Sequence, residues 1–265
     1  MLDRPLVAGV VNVTPDSFSD GGHYLEPGAA IAHARRLVEE GADLLDIGAE
    51  SSRPGAESVS AERELSRLMP VLDGLRGCPI PISVDTVKAE VMRAAIGAGA
   101  AMINDISALR SPGALETLAA SDAGVCLMHM QGEPRTMQRE PRYGDVVAEV
   151  RSFLEARVAA VEARGIARER IVIDPGFGFG KTVEHNFELL RHLDRFAEMG
   201  LPVMAGWSRK STLGAVTGRG AAERLAASIA AALLAVQHGA TIVRVHDVAA
   251  TRDALAVLAA MDGSH

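Results

Sequence analysis

The chain has 265 residues, 48% of them hydrophobic and 23% charged, with 27 basic against 34 acidic side chains and a formal charge of −7. That balance excludes a broad nucleic-acid footprint, which needs a basic face, although a local cluster can still take a small anion. Two cysteines, Cys78 and Cys126, exclude a disulfide framework and a C-x-x-C zinc pair, and they fit a reducing cytoplasm.

The length suits one α/β domain over residues 1–265, with no linker or low-complexity segment dividing it. The first apolar stretch, Pro5 to Val13, runs into Asn-Val-Thr-Pro-Asp without a basic leader, so it predicts a strand and not a signal peptide. Strands are predicted at Leu6–Val13, Leu44–Gly48, Ile82–Thr86, Met102–Ile106, Val125–His129, Ile171–Asp174, Val203–Gly206 and Ile242–His246. Helices are predicted near 28–40, 61–76, 87–98, 112–121, 145–164, 184–198, 222–238 and 248–260. The fifth carries a one-face stripe of Val146, Val150, Phe153, Leu154, Val158 and Val161. In Glu40-Gly41-Ala42, Ala98-Gly99-Ala100 and His238-Gly239-Ala240 an amphipathic helix stops at a glycine and a strand starts about three residues on. Eight such alternations favour a (β/α)8 TIM barrel over a doubly wound sheet. The longest uncharged helical run, Leu225 to Val236, has 12 residues and is too short to cross a bilayer. The Ala-rich helix 222–238 permits a subunit contact, although barrel packing explains it equally well.

The apolar runs end on Asn12, Asp46, Asp85, Asn104, His129, Asp174, Ser208 and Arg244/His246. A buried strand has no structural need of a polar terminus, and one polar group at the same end of every strand is how a parallel barrel builds a reaction site. Asp85, Asn104, Asp174 and Lys210 either satisfy one another as an ion-pair network or surround a polar heterocycle, for which a pyrimidinone with an exocyclic amine is the best match. Asn12, Arg53, Arg244 and His246 form a second group suited to phosphate. Arg244 and His246 alternate, so a strand turns both to one side. Six of nine aromatics (Phe18, Tyr24, Tyr143, Phe177, Phe179 and Trp207) fall in strand-to-helix loops, either to meet a flat ligand or to cap the barrel mouth. Gly180-Lys181-Thr182 ends like a phosphate-binding loop, but Pro175 stands where the first glycine is required, and the glycines there read better as a close approach or a hinge. No multi-residue metal cage is visible; a Mg²⁺ held mainly by substrate phosphate with Asn12 as its one protein ligand would leave no stronger trace.

These residues lie in motifs that resemble one family over nearly the whole chain. They are Asn12-Val-Thr-Pro-Asp-Ser-Phe-Ser-Asp-Gly-Gly22, Glu50-Ser-Ser-Arg-Pro-Gly55, Val84-Asp85-Thr86, Ile103-Asn104-Asp105, Leu127-Met-His-Met-Gln-Gly132, Asp174–Lys181, Ser208-Arg-Lys-Ser211 and Arg244-Val-His-Asp-Val248. The chain resembles the dihydropteroate synthases, the folate-pathway enzymes inhibited by sulfonamides. The resemblance implies the barrel, a homodimer, and condensation of (7,8-dihydropterin-6-yl)methyl diphosphate with 4-aminobenzoate to give dihydropteroate and diphosphate.

It further implies that Asp85, Asn104, Asp174 and Lys210 hold the pterin, with Met128, Phe179 and Gly206 lining its slot. Asn12 would meet Mg²⁺, and Arg53, Arg244 and His246 the phosphate oxygens. Phe18, Ser52, Pro54, Lys210 and Ser211 would frame the aminobenzoate. Catalysis is expected from Asp85, Lys210, Arg244 and His246 in a dissociative displacement. Ser52 replaces the family's usual Thr, Ala49 a common Gly, and Trp207 a smaller aliphatic residue that it would outreach at the rim. The alternatives are a pterin-dependent methyltransferase, which has no need of the anion group or the Ser-Arg-Lys-Ser turn, and a non-catalytic relative, which should have lost part of both.

Overall fold

The computed structural model describes residues 4–14, 27–52, 55–261 and 263. Parallel strands β1 (Leu6–Asn12), β2 (Leu44–Gly48), β3 (Ile82–Asp85), β4 (Met102–Asp105), β5 (Gly124–Met128), β6 (Ile171–Asp174), β7 (Met204–Ala205) and β8 (Ile242–Val245) run in the order β6-β5-β4-β3-β2-β1-β8-β7. The sheet's two ends meet at a parallel bridge between Ile173 and Val203, reinforced by Ile173 N donating to Pro202 O at 3.0 Å. The result is a nearly closed barrel, with β7 the shortest stave, in accord with the predicted architecture.

Around it lie α1 (Pro27–Glu39), α2 (Ala61–Gly74), α3 (Ala89–Gly97), α4 (Ala114–Ala119), α5 (Val146–Glu162), α6 (Val183–Arg191), α7 (Asp194–Ala197), α8 (Ser211–Thr217), α9 (Leu225–Gln237) and α10 (Val248–Met261). Local chemistry starts several of them. Ser60 caps α2 by accepting from Arg63 N, Asp145 caps α5 by accepting from Val147 N and Ala148 N, and Thr182 with His185 forms a capping box on α6. The stripe expected on α5 is buried at Val146, Val150, Leu154, Val158 and Val161, with Phe153 only half-buried.

The three glycine turns also form as expected. Gly41, Gly99 and Gly239 have φ of 94°, 101° and 103°. Each donates to the third residue before it, while the next residue donates five back, as Ala42 N does to Leu37 O at 2.9 Å. This pair of hydrogen bonds closes a helix and turns the chain directly into the next strand.

Two helical expectations need correction. The helix predicted over 184–198 breaks at His192–Leu193 into α6 and α7, which lets both Leu193 and Phe196 reach complete burial. The segment after β7, predicted as loop, contains α8; its apolar content is too small to give a periodic signal.

The core has three parts. Between strands and helices lies a large shell that includes Leu37, Leu68, Ile103, Leu127, Leu154 and Phe196. Inside the barrel, Ala8, Leu44, Met102, Cys126, Met204 and Ile242 form a plug, which makes Cys126 a core residue. At the mouth, Ile106, Met128, Met130 and Met137 cluster against Val87 and Phe179. The plug closes one end and leaves the strand C-termini as the place where polar side chains can converge.

Candidate active site

Strand register brings the first polar residues into line. Asn12 on β1 stands beside Gly48 on β2, Gly48 beside Asp85 on β3, and Asp85 beside Asn104 on β4. Asp46 sits two residues before Gly48, on the same face as the plug residue Leu44, because side chains alternate along a strand. Arg244 reaches across from β8 to bridge this group. Its Nε donates to Asp46 Oδ2 at 2.5 Å and its Nη2 to Asp85 Oδ2 at 3.1 Å, while Asn104 Nδ2 donates to the same Asp46 oxygen at 3.1 Å.

The sequence suggested two groups, one for a ring and one for an anion; Arg244 makes them a single network. Asp46 is its hidden centre, with no exposure, and among the described residues its Oδ1 has no hydrogen-bond partner. Sequence reasoning noted Asp46 as a polar strand terminus but assigned it nothing. Period two along β2 was the available signal.

Charge in this network is finely balanced. Burial pushes Asp85 up to about 7 against the pull of the Arg244 guanidinium, and Asp46 and Asp105 add to the rise. Burial also opposes the charge on Arg244, but the carboxylates of Asp46 and Asp85 more than offset it and hold the guanidinium above its ordinary value. Asp105 is structural: it accepts from Ser107 N and Oγ and from Leu109 N, which secures the left-handed backbone at Ala108 and Leu109.

Opposite stand Asp174 and Lys210. Asp174 is 5% exposed and accepts from Gly176 N at 2.7 Å. Burial raises its pKa, opposed first by Lys210. Burial brings Lys210 down to about 8, with Asp174 pulling the other way. The Lys210 Nζ donates to Phe177 O and lies 4.7 Å from the centre of the Phe179 ring. A Cβ on Gly206 would come 3.7 Å from that Nζ and 3.9 Å from Arg244, so the glycine keeps open the space between the two cations. Met128 walls the same side from the mouth cluster.

Lys210 is aimed by the residue before it. Arg209 has φ of 59°, a left-handed backbone that is costly outside glycine. It is held by Ser228 Oγ on its N–H, by Arg224 on its carbonyl, and by a fork from its guanidinium to Asp247 at 3.1 and 2.6 Å. His246 meets Ser208 Oγ through both its backbone N at 3.2 Å and its Nδ1 at 2.9 Å. The β7 and β8 loops are thus fastened at two consecutive positions. His246 meets Ser208 and Arg244 meets the carboxylates, with β8 ending between them at Val245.

The other predicted residues divide three ways. Ser52 and Asn12 are half-buried and Ser211 is exposed at the start of α8. Phe18, Arg53 and Pro54, with Tyr24, lie outside the described residues. Of the four described loop aromatics, Phe179 is the one packed on the mouth cluster. Phe177 and Trp207 are each 1% exposed and stack with centroids 4.7 Å apart, Trp207 also meeting Phe187 at 5.5 Å. Trp207 therefore supports the loop from beneath and does not narrow the rim. Tyr143 donates to Gly180 O. Behind Ser52, Lys88 binds Glu50 and also the wholly buried Glu64, and Glu50 accepts from Val59 N. This anchor for the second loop was missed, because Lys88 and Glu64 lie on elements that carry no motif.

The glycines after β6 are explained by a neighbour loop and not by a phosphate. A Cβ on Gly176, whose φ is 74°, would lie 1.9 Å from His129 O. Gly176→Ala is expected to destabilise the fold by roughly 2–4 kcal/mol and to weaken whatever ligand Asp174 holds, since Gly176 N is its hydrogen-bond donor. Chemical denaturation with ligand titration checks both; an unchanged midpoint would mean that the loop has room the packing denies it.

Residues 8–246 match the family model described as pterin binding enzyme. A dihydropteroate synthase of Neisseria meningitidis serogroup B is 54% identical over 98% of this chain and 94% of its own. The Xanthomonas albilineans dihydropteroate synthase with 4-aminobenzoic acid superposes with a TM-score of 0.93 at 56% identity, covering 98% of this chain and 94% of that one. The Yersinia pestis enzyme in a sulfonamide drug complex gives 0.94 at 45%, covering 98% and 95%.

Proposed function

The chain belongs to the pterin-binding enzymes as a member of the dihydropteroate synthase family, and on that premise we propose which of its residues perform the transfer. The activity is condensation of (7,8-dihydropterin-6-yl)methyl diphosphate with 4-aminobenzoate, giving dihydropteroate and diphosphate. One observation carries the assignment: Arg244 joins Asp46 and Asp85 at the rim that also holds Asn104, Asp174 and Lys210.

Asp174, Asn104 and Lys210 bind the pterin edge, with Met128, Phe179 and Gly206 shaping its slot. Arg244, His246 and Arg53 take the diphosphate. When that anion arrives, Arg244 can divide its donors between phosphate and carboxylate, which frees Asp85 to face the substrate. The C–O bond then breaks, its electron pair leaving with diphosphate. The methylene carbon becomes cationic in conjugation with the ring, and the nearby Asp85 carboxylate stabilises that charge. The aminobenzoate nitrogen supplies the pair for the new C–N bond and afterwards loses a proton. Phe18, Ser52, Pro54, Lys210 and Ser211 frame this second substrate and exclude water. Sulfonamides, bound by the Yersinia pestis relative, compete at the same place.

The donor set fits Mg²⁺ as cofactor. Asn12, half-buried at the end of β1 beside Gly48, offers one neutral side-chain oxygen, and the carboxylates of Asp46 and Asp85 are engaged by Arg244. Asn12 would hold the ion together with substrate phosphate, where it would offset charge on the leaving group.

A single domain over residues 1–265 carries the reaction, in the cytoplasm, and among the described residues no helix is long and apolar enough to cross a membrane. A homodimer is supported by Leu225 and Leu234 on α9 and Val257 and Met261 on α10, which are large, apolar and exposed.

The test of the displacement is diphosphate release with and without 4-aminobenzoate. If the leaving group departs first, slow release is expected to continue without the amine, with a pterin alcohol as the product. Release strictly dependent on the amine would favour direct displacement.

A further inference from the structure

Lys181, in the loop that mimics the end of a phosphate-binding motif, does not face an anion. It is 3% exposed, and its Nζ meets Gly176 O at 2.9 Å, Phe179 O at 3.0 Å, His129 Nδ1 at 3.0 Å and His129 O at 3.4 Å. Its neighbours complete the same loop. Lys210 donates to Phe177 O, Gln138 to Gly178 O, and Tyr143 to Gly180 O, so every carbonyl from residue 176 to 180 receives a side-chain donor. A five-residue loop so completely bonded is rigid, and its first turn is closed by Asp174 itself through Gly176 N.

We propose that Lys181 is a positioning residue of the pterin site: its buried ammonium gathers the β6–α6 backbone around one point and sets a fixed positive charge behind Asp174, so that Asp174 meets the ring as a carboxylate. This rests on the assignment of Asp174 to the pterin edge. The edge of a pterin that presents N–H donors needs an acceptor, and a protonated carboxyl would offer one of its own hydrogens there.

Two backbone carbonyls lie within 3.0 Å of the Nζ and a third at 3.4 Å, and with His129 Nδ1 as acceptor the set fits an ammonium. Burial works against that charge and lowers the Lys181 pKa well below its ordinary value, with Asp174 opposing the fall. The charges facing Asp174 come from two loops and a strand, Lys210 after β7, Lys181 after β6 and Arg244 on β8, and all favour its ionised form. On the adjacent β5, burial pushes the Cys126 thiol well up. Burial and Lys181 bring His129 down to about 3, so both residues stay uncharged near neutrality.

Removing the Lys181 charge lets burial raise Asp174 further. Pterin binding, which needs the carboxylate, then fails at a higher pH as the solution is acidified.

The test is Lys181→Gln, which keeps two hydrogen-bond donors and loses the charge. Binding of the pterin alcohol, which lacks the leaving group, is measured by calorimetry from pH 5 to 8 in both proteins. Asp85 titrates in this window in both proteins. Loss of the Lys181 charge favours the charged form of Lys210, which does not weaken binding on acidification, so a loss that grows toward low pH reports Asp174. The acidic limb is expected to move up by about one pH unit. The variant's affinity should then fall increasingly below the parent's as the pH drops, by up to about tenfold, which corresponds to about 1.4 kcal/mol. The gap should close above the acidic limb. An equal loss at every pH would assign Lys181 a purely structural role and overturn the proposal, as would no loss at all. Should the variant not fold, the ¹⁵N signal of the Lys181 side chain in the unaltered protein decides: an ammonium at pH 7 is required, and an amine refutes it. Failure of the unaltered protein to bind the pterin alcohol would instead discard the pterin-edge assignment.

Discussion

Asp85→Asn is expected to lower the turnover number by ~10²–10³-fold while changing pterin affinity only a few-fold. The asparagine has the same shape, keeps an acceptor for Arg244 Nη2, and removes only the negative charge. Ground-state contacts therefore survive, and what is lost is the stabilisation of a cation that exists only after diphosphate departs. Steady-state diphosphate release with 4-aminobenzoate, set beside calorimetry with the pterin alcohol, separates the two effects. Turnover within threefold of the parent would remove Asp85 from the chemistry.

The same substitution has a stability signature of definite sign. Asp85 titrates in the fold at about 7, far above the value of an unfolded aspartate. Between about pH 4 and pH 7 the folded chain holds a proton that the unfolded chain has released. Stability from this group is therefore present at low pH and is lost as pH rises through 7. The asparagine variant should escape that loss, and its melting temperature should exceed the parent's at pH 8 but match it more closely at pH 5. A parent whose stability rises from pH 5 to pH 8 because of this residue would contradict the burial argument.

Arg244→Ala should produce the second large effect, in both stability and binding. Asp46 has no exposure and takes its shortest hydrogen bond from Arg244 Nε, so truncation leaves a buried carboxylate with only Asn104 beside a second carboxylate at Asp85. Stranding a buried charge in this way costs about 3–5 kcal/mol. The loss should be greatest at high pH, where both carboxylates must be ionised, and should shrink as Asp85 takes up a proton. For ligands, the diphosphate-bearing pterin is expected to lose ~10²-fold in affinity, from one missing charge-assisted fork, and the pterin alcohol only a few-fold. Denaturation at pH 5 and 8 with parallel binding of both ligands checks the pattern. Equal losses for the two ligands would dissolve the anion site.

Much of the site was legible in the strand termini. Asp85, Asn104 and Asp174 lie at strand ends because nothing in a buried β-strand rewards a carboxylate or amide there, and that anomaly can be seen in a single sequence. The glycine turns at Gly41, Gly99 and Gly239 were legible for a related reason: the left-handed backbone they adopt is a property of one residue. Asp46 was seen and passed over, since nothing near it in the chain indicates a partner. The aromatics misled for the opposite reason. Phe177 and Trp207 lie in loop sequence, yet the loops fold over so that the two rings pack on each other.

The residue pattern thus predicted the barrel, its alternation of helices and strands and the polar strand ends at its mouth, which follow from short-range periodicity and the cost of burying polarity, while the motifs' resemblance supplied the family and its chemistry. The pairing of charges required the folded chain. Arg244 meets Asp46 across 198 residues and Asp85 across 159, and Lys181 turns from an imagined phosphate to the carbonyls of its own loop. Such partners are chosen by barrel closure and by desolvation in three dimensions, quantities that no local stretch of sequence contains.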